Sequence, residues 1–204
     1  MPRDGNPTRE RILRVAERLM TDQGYSATSV DQVIAEAASS KGAFFHHFSS
    51  KTDLAVQLVE RYVAADLAHL DAGLAATAHH TDPAARAVAF VRHYEDGADA
   101  LMSEQSGCLY ATVLAEREFT GSEINDQVAK ATRAWRDALT DLLRPALAGR
   151  PDIDVEALAD HLYTTFEGAF ILCRTYTDPS AMRAQLRVYR QLLQALLGKE
   201  EADP

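Results

Sequence analysis

The stretch from Thr28 to Lys51 reads TSVDQVIAEAASSKGAFFHHFSSK, and it constrains the fold more than any other part of the chain. Ser29 with Gln32 three residues later forms a Ser-x-x-Gln capping box, after which Val30, Val33, Ile34 and Ala37 keep one helical face apolar. That face has to pack against something. Ala38, Ser39 and Ser40 interrupt the pattern, and a second helix opens at Ser39 or Ser40 with Lys41, Gly42 and Ala43 in its first turn. A further helix starts at Lys51 behind the cap residue Ser50. The stretch therefore predicts two short helices, a tight turn between them and the start of a third.

A helix that enters a major groove needs a slim first turn, so that base edges and phosphates reach the backbone amides, and flanking donors that fix its register. Lys41, Gly42, Ala43 and the pair His46-His47 meet that need. These residues resemble the helix-turn-helix of TetR-type regulators, T-V-x-x-I-A-x-x-A-G-V-S-x-G-x-x-Y-x-H-F followed by x-x-K. The pattern falls without a gap on Ser29, Val30, Val33, Ile34, Ala37, Ala38, Ser39, Ser40, Gly42, Phe45, His47, Phe48 and Lys51. The resemblance implies a DNA-binding set of Thr28, Ser29, Ser40, Lys41, Gly42, Ala43, Phe45, His46, His47 and Lys51. Ala38 and Ser39 replace the family's turn glycine and valine, so the turn either avoids a left-handed backbone or carries strain. Phe45 stands where the family has tyrosine, which drops one hydroxyl available to a phosphate.

Lys51 sits at a helix N-terminus, where the dipole prefers an anion, and a bound phosphate resolves that mismatch. Thr28 and Ser29 act first as caps, with a phosphate bond as a second role. His46 and His47 point about 100° apart on a helix and have no third ligand near in sequence, so groove or phosphate contact is favoured over metal.

The net charge of −9 argues at first against nucleic acid, but its distribution reverses that reading. Residues 1–61 hold eight basic and eight acidic residues, whereas residues 62–204 hold thirteen basic and twenty-two acidic. At 47% hydrophobic and 25% charged, the 204 residues suit one or two globular domains. No apolar run of about 18 residues and no signal-type N-terminus is present, so the expected location is cytoplasmic, without a membrane partner. Cys108 and Cys173 are too few for a disulfide framework and lack metal-ligand spacing, so reduced thiols, no metal and no cofactor are expected.

The rest of the chain repeats helical periodicity and shows no β pattern, which predicts an all-α fold of about nine helices. Thr8 is the expected cap of a first helix that ends at Gly24, with Ile12, Val15, Ala16, Leu19 and Met20 on its inner stripe; Tyr25 is expected beside Phe44 and Phe48. A helix from Lys51 to about residue 76 is nearly 40 Å long and bridges two domains, 1–50 for DNA and 51–204 for ligand and dimerisation. Further helices are expected from Pro83 to about Glu95, from Gly107 to about Phe119, and from a Ser122 cap to Pro145, with 97–107 broken. The last two, about 154–177 and 179–197, are apolar on more than one stripe. Leu158, Leu162, Gly168, Leu186, Tyr189, Leu193 and Leu196 are the expected dimer interface, a four-helix arrangement with a second copy.

Gly107-Cys108-Leu109 with Ala115-Glu116, and Phe166-Glu167-Gly168-Ala169 with Thr177-Asp178-Pro179, resemble one group of TetR-type ligand domains. Phe90, Tyr94, Cys108, Leu109, Val113, Trp135, Phe166 and Phe170 are the candidate ligand-pocket residues. Cys108 and His161 form the single pair that an enzyme reading has to use, and no oxyanion element accompanies them. The resemblance implies a regulator, foremost a repressor, released from a near-palindromic double-stranded operator by a small lipophilic effector. The alternatives are a ligand-independent DNA binder and a redox or electrophile sensor acting through Cys108.

Overall fold

The computed structural model describes residues 7–104 and 107–198. Among them the order is α1 (Pro7–Gln23), α2 (Val30–Glu36), α3 (Lys41–His47), α4 (Lys51–Ala76), α5 (Pro83–Glu104), α6 (Leu109–Leu114), a 3-10 turn (Arg117–Phe119), α7 (Glu123–Ala146), α8 (Val155–Tyr176) and α9 (Ser180–Leu196), with no strand among the described residues. Two compact units share this chain. The described parts of Met1–Ala65 and Ser106–Ala129 form the first, and those of Asp66–Gln105 and Lys130–Pro204 the second. α4 is one unbroken helix with residues in both.

In the first unit α1 is the central element. It buries Ile12, Leu13, Ala16, Leu19 and Met20, while Val15 stays half-buried, and α2, α3 and α6 pack on it. α1 opens at Pro7, so Thr8 lies inside its first turn instead of capping it. It stops at Gly24, whose φ of +90° suits glycine. Phe44 and Phe48 are both fully buried beneath α3, each burial stabilising the unit by about 1.5–3 kcal/mol. Tyr25 does not join them: its ring lies edge-on against Phe119, centroids 4.5 Å apart.

Two helix lengths differ from expectation. α5 does not end near Glu95 but continues to Glu104, because Ala98 is buried and Leu101 and Met102 pack on the core beyond it. Gly97 lies on the outer face and costs only the usual helical glycine penalty, about 1 kcal/mol. Residues 105 and 106 of the expected break lie outside the described residues. α6 ends at Leu114, five residues early, because the polar run that follows turns its carboxylates onto the loop behind α1. The Ser122 hydroxyl donates to the Phe119 carbonyl at 2.7 Å and so serves the preceding turn.

The second unit is built on α5, α8 and α9 together with parts of α4 and α7. Its core holds Phe90, Leu139, Leu143, Leu162, Leu186, Tyr189 and Leu193. Four expected dimer residues are therefore misplaced: Leu162, Leu186, Tyr189 and Leu193 are inside the protomer, and Tyr189 donates to the Leu158 carbonyl at 2.8 Å. Leu158 and Leu196 are half-buried, and Leu158 packs on the same core. The sides of α8 and α9 turned outward carry Gly168 and Ile171, and Val188 and Leu192. Gly73 on α4 is needed for close approach, since a Cβ there would meet the Tyr94 hydroxyl at 2.6 Å. That hydroxyl donates to the His69 carbonyl at 2.9 Å.

Between α5 and α9 lies a buried ion-pair network. Arg190 Nε donates to Glu95 at 2.6 Å and Arg187 Nε at 3.0 Å, while Arg190 Nη1 donates to Gln194 at 2.8 Å. Burial raises the Glu95 carboxyl, and the hydrogen bonds and charges of Arg190 and Arg187 outweigh it, so the group titrates below its ordinary range. Glu95→Gln leaves Arg190 buried without its counter-charge and is expected to cost about 3–5 kcal/mol in urea denaturation at pH 7. Because the folded carboxyl is lowered, its contribution is complete above about pH 4.3 and is lost as pH falls through the folded value. The gap between wild type and Glu95→Gln should narrow below that pH.

Candidate nucleic-acid interface

α2 begins as its cap predicts. Ser29 is extended (φ −97°, ψ 153°) and its hydroxyl accepts the Gln32 amide at 3.1 Å. The Gln32 side chain turns to Gln23 and Glu36, so the reciprocal half of the capping box is replaced by links to neighbouring residues. At its other end α2 closes in a Schellman turn: Ser39 N–H reaches the Ile34 carbonyl at 3.0 Å and Ala38 N–H the Ala35 carbonyl at 3.1 Å. Ala38 holds the left-handed position at φ +45°, which resolves the open question in favour of strain. Arg11 Nε donates to the Ala37 carbonyl at 2.6 Å and ties the turn to α1.

α3 opens at Ser40, whose hydroxyl accepts the Ala43 amide at 3.1 Å. With Phe44 and Phe48 fixed inward, Lys41, Gly42, Phe45 and His46 are exposed together, and Ala43 and His47 are half-buried at the margin. Phe45 is 55% exposed, unusual for a large apolar ring. Gly42 has no neighbour closer than the Ser40 hydroxyl, 3.9 Å from where its Cβ would stand. Among the described residues no neighbour requires glycine there. Lys41 pairs with Asp31 at 3.0 Å, but both side chains are more than 70% exposed, and such a pair adds little and exchanges readily.

The His46 and His47 rings lie 4.9 Å apart. Burial, then the charges of His46 and Arg9, lower the His47 pKa. No cluster of three or more metal-ligating side chains occurs among the described residues. Lys51 stands at the first residue of α4, its ammonium 4.0 Å above the centre of the Tyr25 ring and 3.5 Å from the Ser26 carbonyl. Ser50 caps that helix by accepting the Asp53 amide at 3.0 Å, and the Asp53 carboxylate takes the Ser49 amide at 2.6 Å.

Thr28 departs from expectation. Its side chain is 1% exposed and its hydroxyl donates to the Gly24 carbonyl at 2.8 Å, so it builds the turn and presents no hydroxyl to a phosphate. Ser29, Ser40, Lys41, Gly42, Phe45, His46 and Lys51 remain along one stretch of surface-reaching residues. Sequence reasoning missed Arg11, and it named Glu116 only as a motif residue without foreseeing that it takes both the amide and the hydroxyl of Ser26 across 90 residues. The ligand-pocket candidates separate into two groups. Phe90, Tyr94, Trp135, Phe166 and Phe170 gather in or against the core of the second unit, with Tyr94 5.4 Å from Trp135 and 5.9 Å from Phe166. Cys108, Leu109 and Val113 are buried residues of the first unit.

An all-helical chain that anchors a short helix by two phenylalanines and presents its slim, cationic first turn outward is a DNA-binding protein of the helix-turn-helix class. Residues 12–58 match the bacterial regulatory proteins of the tetR family, and residues 83–189 match the tetracyclin repressor-like C-terminal domain. The chain belongs to the TetR family of transcriptional regulators, and it is a regulator, not an enzyme. It is 27% identical over 194 residues to the transcriptional regulator AcuR of Cereibacter sphaeroides, covering 91% of this chain and 85% of that one. It is 29% identical over 143 residues to the transcriptional activator FasR of Mycolicibacterium smegmatis, covering 70% and 61%. Among solved structures, a TetR transcriptional regulator of Chloroflexus aurantiacus superposes with a TM-score of 0.73 at 24% identity, covering 95% and 97%.

Ala38→Gly is expected to relieve the left-handed strain and raise stability by about 0.5–1 kcal/mol, after allowing for the greater freedom of glycine in the unfolded chain. Thermal unfolding checks this. An unchanged or lower midpoint would show that the turn holds alanine without strain.

Proposed function

We propose that this regulator is a cytoplasmic, one-component, effector-released repressor that binds a near-palindromic operator as a homodimer. The exposed face of α3, with a glycine at position 42 that the fold itself does not require, is the observation that carries the DNA-reading assignment. Two such faces, one per protomer, would enter successive major grooves about 34 Å apart. Ser29, Ser40, Lys41, His46, His47 and Lys51 would fix register on phosphates, while Gly42 and Ala43 let bases approach. Phe45 would give the groove an apolar surface.

The dimer contact we assign to the outward faces of α8 and α9. Gly168 and Ile171 on one, and Val188 and Leu192 on the other, leave apolar and small side chains uncovered in the protomer, and two helix pairs of this kind close into a four-helix bundle. The effector site we assign to the aromatic group of the second unit, Phe90, Tyr94, Trp135, Phe166 and Phe170, which suits a small lipophilic molecule. α4 we assign as the coupling element, because one continuous helix carries Lys51 at its start and Gly73, against the Tyr94 hydroxyl, near its end. To move occupancy fully from operator-bound to free, the effector must prefer the released state by about 5.5 kcal/mol. The relative FasR is named a transcriptional activator, so repression is the part of the proposal that a reporter assay decides. Thiol sensing through Cys108 loses support, since that residue is 8% exposed.

The direct test is binding to the DNA upstream of its own gene and its divergent neighbour, against scrambled competitor. Sequence-indifferent binding would overturn the operator reading in favour of a ligand-independent architectural binder. Lys51→Ala is expected to weaken binding to all sequences and to lower the salt slope by about one per half-site. Leu192→Asp should yield folded monomers in sedimentation velocity, whereas Leu193→Asp, which buries a charge in the protomer, should unfold the second unit. A Leu192→Asp variant that stays dimeric would refute the assigned interface.

A further inference from the structure

The segment between α5 and α7 places two carboxylates around the turn that follows α1. Glu116 accepts the Ser26 amide at 2.9 Å and the Ser26 hydroxyl at 2.6 Å, one on each oxygen, and also draws on the Tyr25 amide. Phe119 fixes the Tyr25 ring from one side. The Tyr25 hydroxyl is shared between Thr52 at 3.2 Å and Glu118 at 3.4 Å. The Lys51 ammonium lies over that same ring, 4.0 Å from its centre, and 3.5 Å from the Ser26 carbonyl. Lys51 is therefore seated on a surface whose position Glu116 holds and whose rim Glu118 occupies.

The two acids differ in their work. Glu116 is half-buried and makes short bonds to the turn, so it is a structural clamp on the residues against which the Lys51 ammonium rests. Glu118 is exposed and makes one long bond to a tyrosine hydroxyl, so its charge adds little to the fold. A DNA phosphate that approaches Lys51 meets a cation already in the field of a carboxylate, and two anions compete for one ammonium. Glu118 at the Tyr25 hydroxyl and Lys51 over the Tyr25 ring share one seat, and burial lowers the Lys51 pKa while Glu118 and Glu116 oppose that shift.

We propose that Glu118 is a positioning residue that restrains DNA affinity: it competes with the operator phosphate for Lys51, on a seat that Glu116 clamps to Ser26. Glu118 lies in the 3-10 turn that follows α6, within the same unit as Lys51. The inference rests on Lys51 as a phosphate contact, and its test separates the two.

The experiment measures affinity of the full-length protein for its upstream DNA and for an unrelated duplex, across a salt series, for wild type, Glu118→Gln, Lys51→Ala and the double variant. Glu118→Gln keeps a partner for the Tyr25 hydroxyl and is expected to tighten both complexes by about threefold per half-site at low salt, with the gain fading as salt screens it. Its thermal midpoint should equal that of wild type. In the Lys51→Ala background the gain should fall by at least half. Unchanged or weaker binding by Glu118→Gln overturns the proposal, and so does a gain that persists in full without Lys51. If Lys51→Ala alone leaves affinity and salt slope unchanged, the phosphate role of Lys51 is what fails, and the restraint fails with it.

Discussion

The burial of Phe44 and Phe48 decides which side of α3 looks outward, and the remaining features of the DNA-binding unit depend on it. With both rings sealed against α1, the positions between them have only one direction left. Lys41, Gly42, Phe45 and His46 then share the free face without any contact having to place them individually. The caps at Ser29 and Ser40 and the Schellman turn at Ala38 set the angle between α2 and α3, and Arg11 fastens that turn to α1 through the Ala37 carbonyl. The breaks before and after α2 and α3 have backbone hydrogen bonds satisfied locally.

Much of this unit was legible in the sequence because its signals are local. A serine cap, an apolar residue at helical spacing and a glycine stop each act within a few positions, and Ser29, Ser40, Ser50 and Gly24 all behave as their types require. The failures are of another kind. Thr28 reads equally as a phosphate donor or as a turn builder, and only the nearness of the Gly24 carbonyl selects the second. Glu116 and Ser26 meet across 90 residues, and no pattern within either segment announces the other.

The second unit shows the limit of periodicity more sharply. α9 carries apolar residues on more than one stripe, and adjacent leucines 192 and 193 point about 100° apart: the first is 55% exposed and the second 1%. Their spacing cannot say which one turns inward. In the folded unit Leu186 and Leu193 turn inward on the side where Arg190 reaches Glu95 on α5, and Val188 and Leu192 turn out. The pocket candidates divide between the two units in the same unannounced way. Cys108, Leu109 and Val113 follow α5 in the chain, yet they serve the core of the DNA-binding unit, leaving the aromatic residues of α5, α7 and α8 as the lining to test.

The central claim is that a dimer reads two half-sites at a fixed separation, with α4 relating each recognition helix to the body that holds the effector. The measurement that bears on it most directly is affinity for a series of operators in which base pairs are inserted between the half-sites. Five added base pairs turn the second half-site to the opposite side of the duplex, and binding should fall to the level of a single half-site or of unrelated DNA. Affinity that stays the same across the series would contradict the account, since it would mean that each protomer binds alone and that α4 has no separation to control.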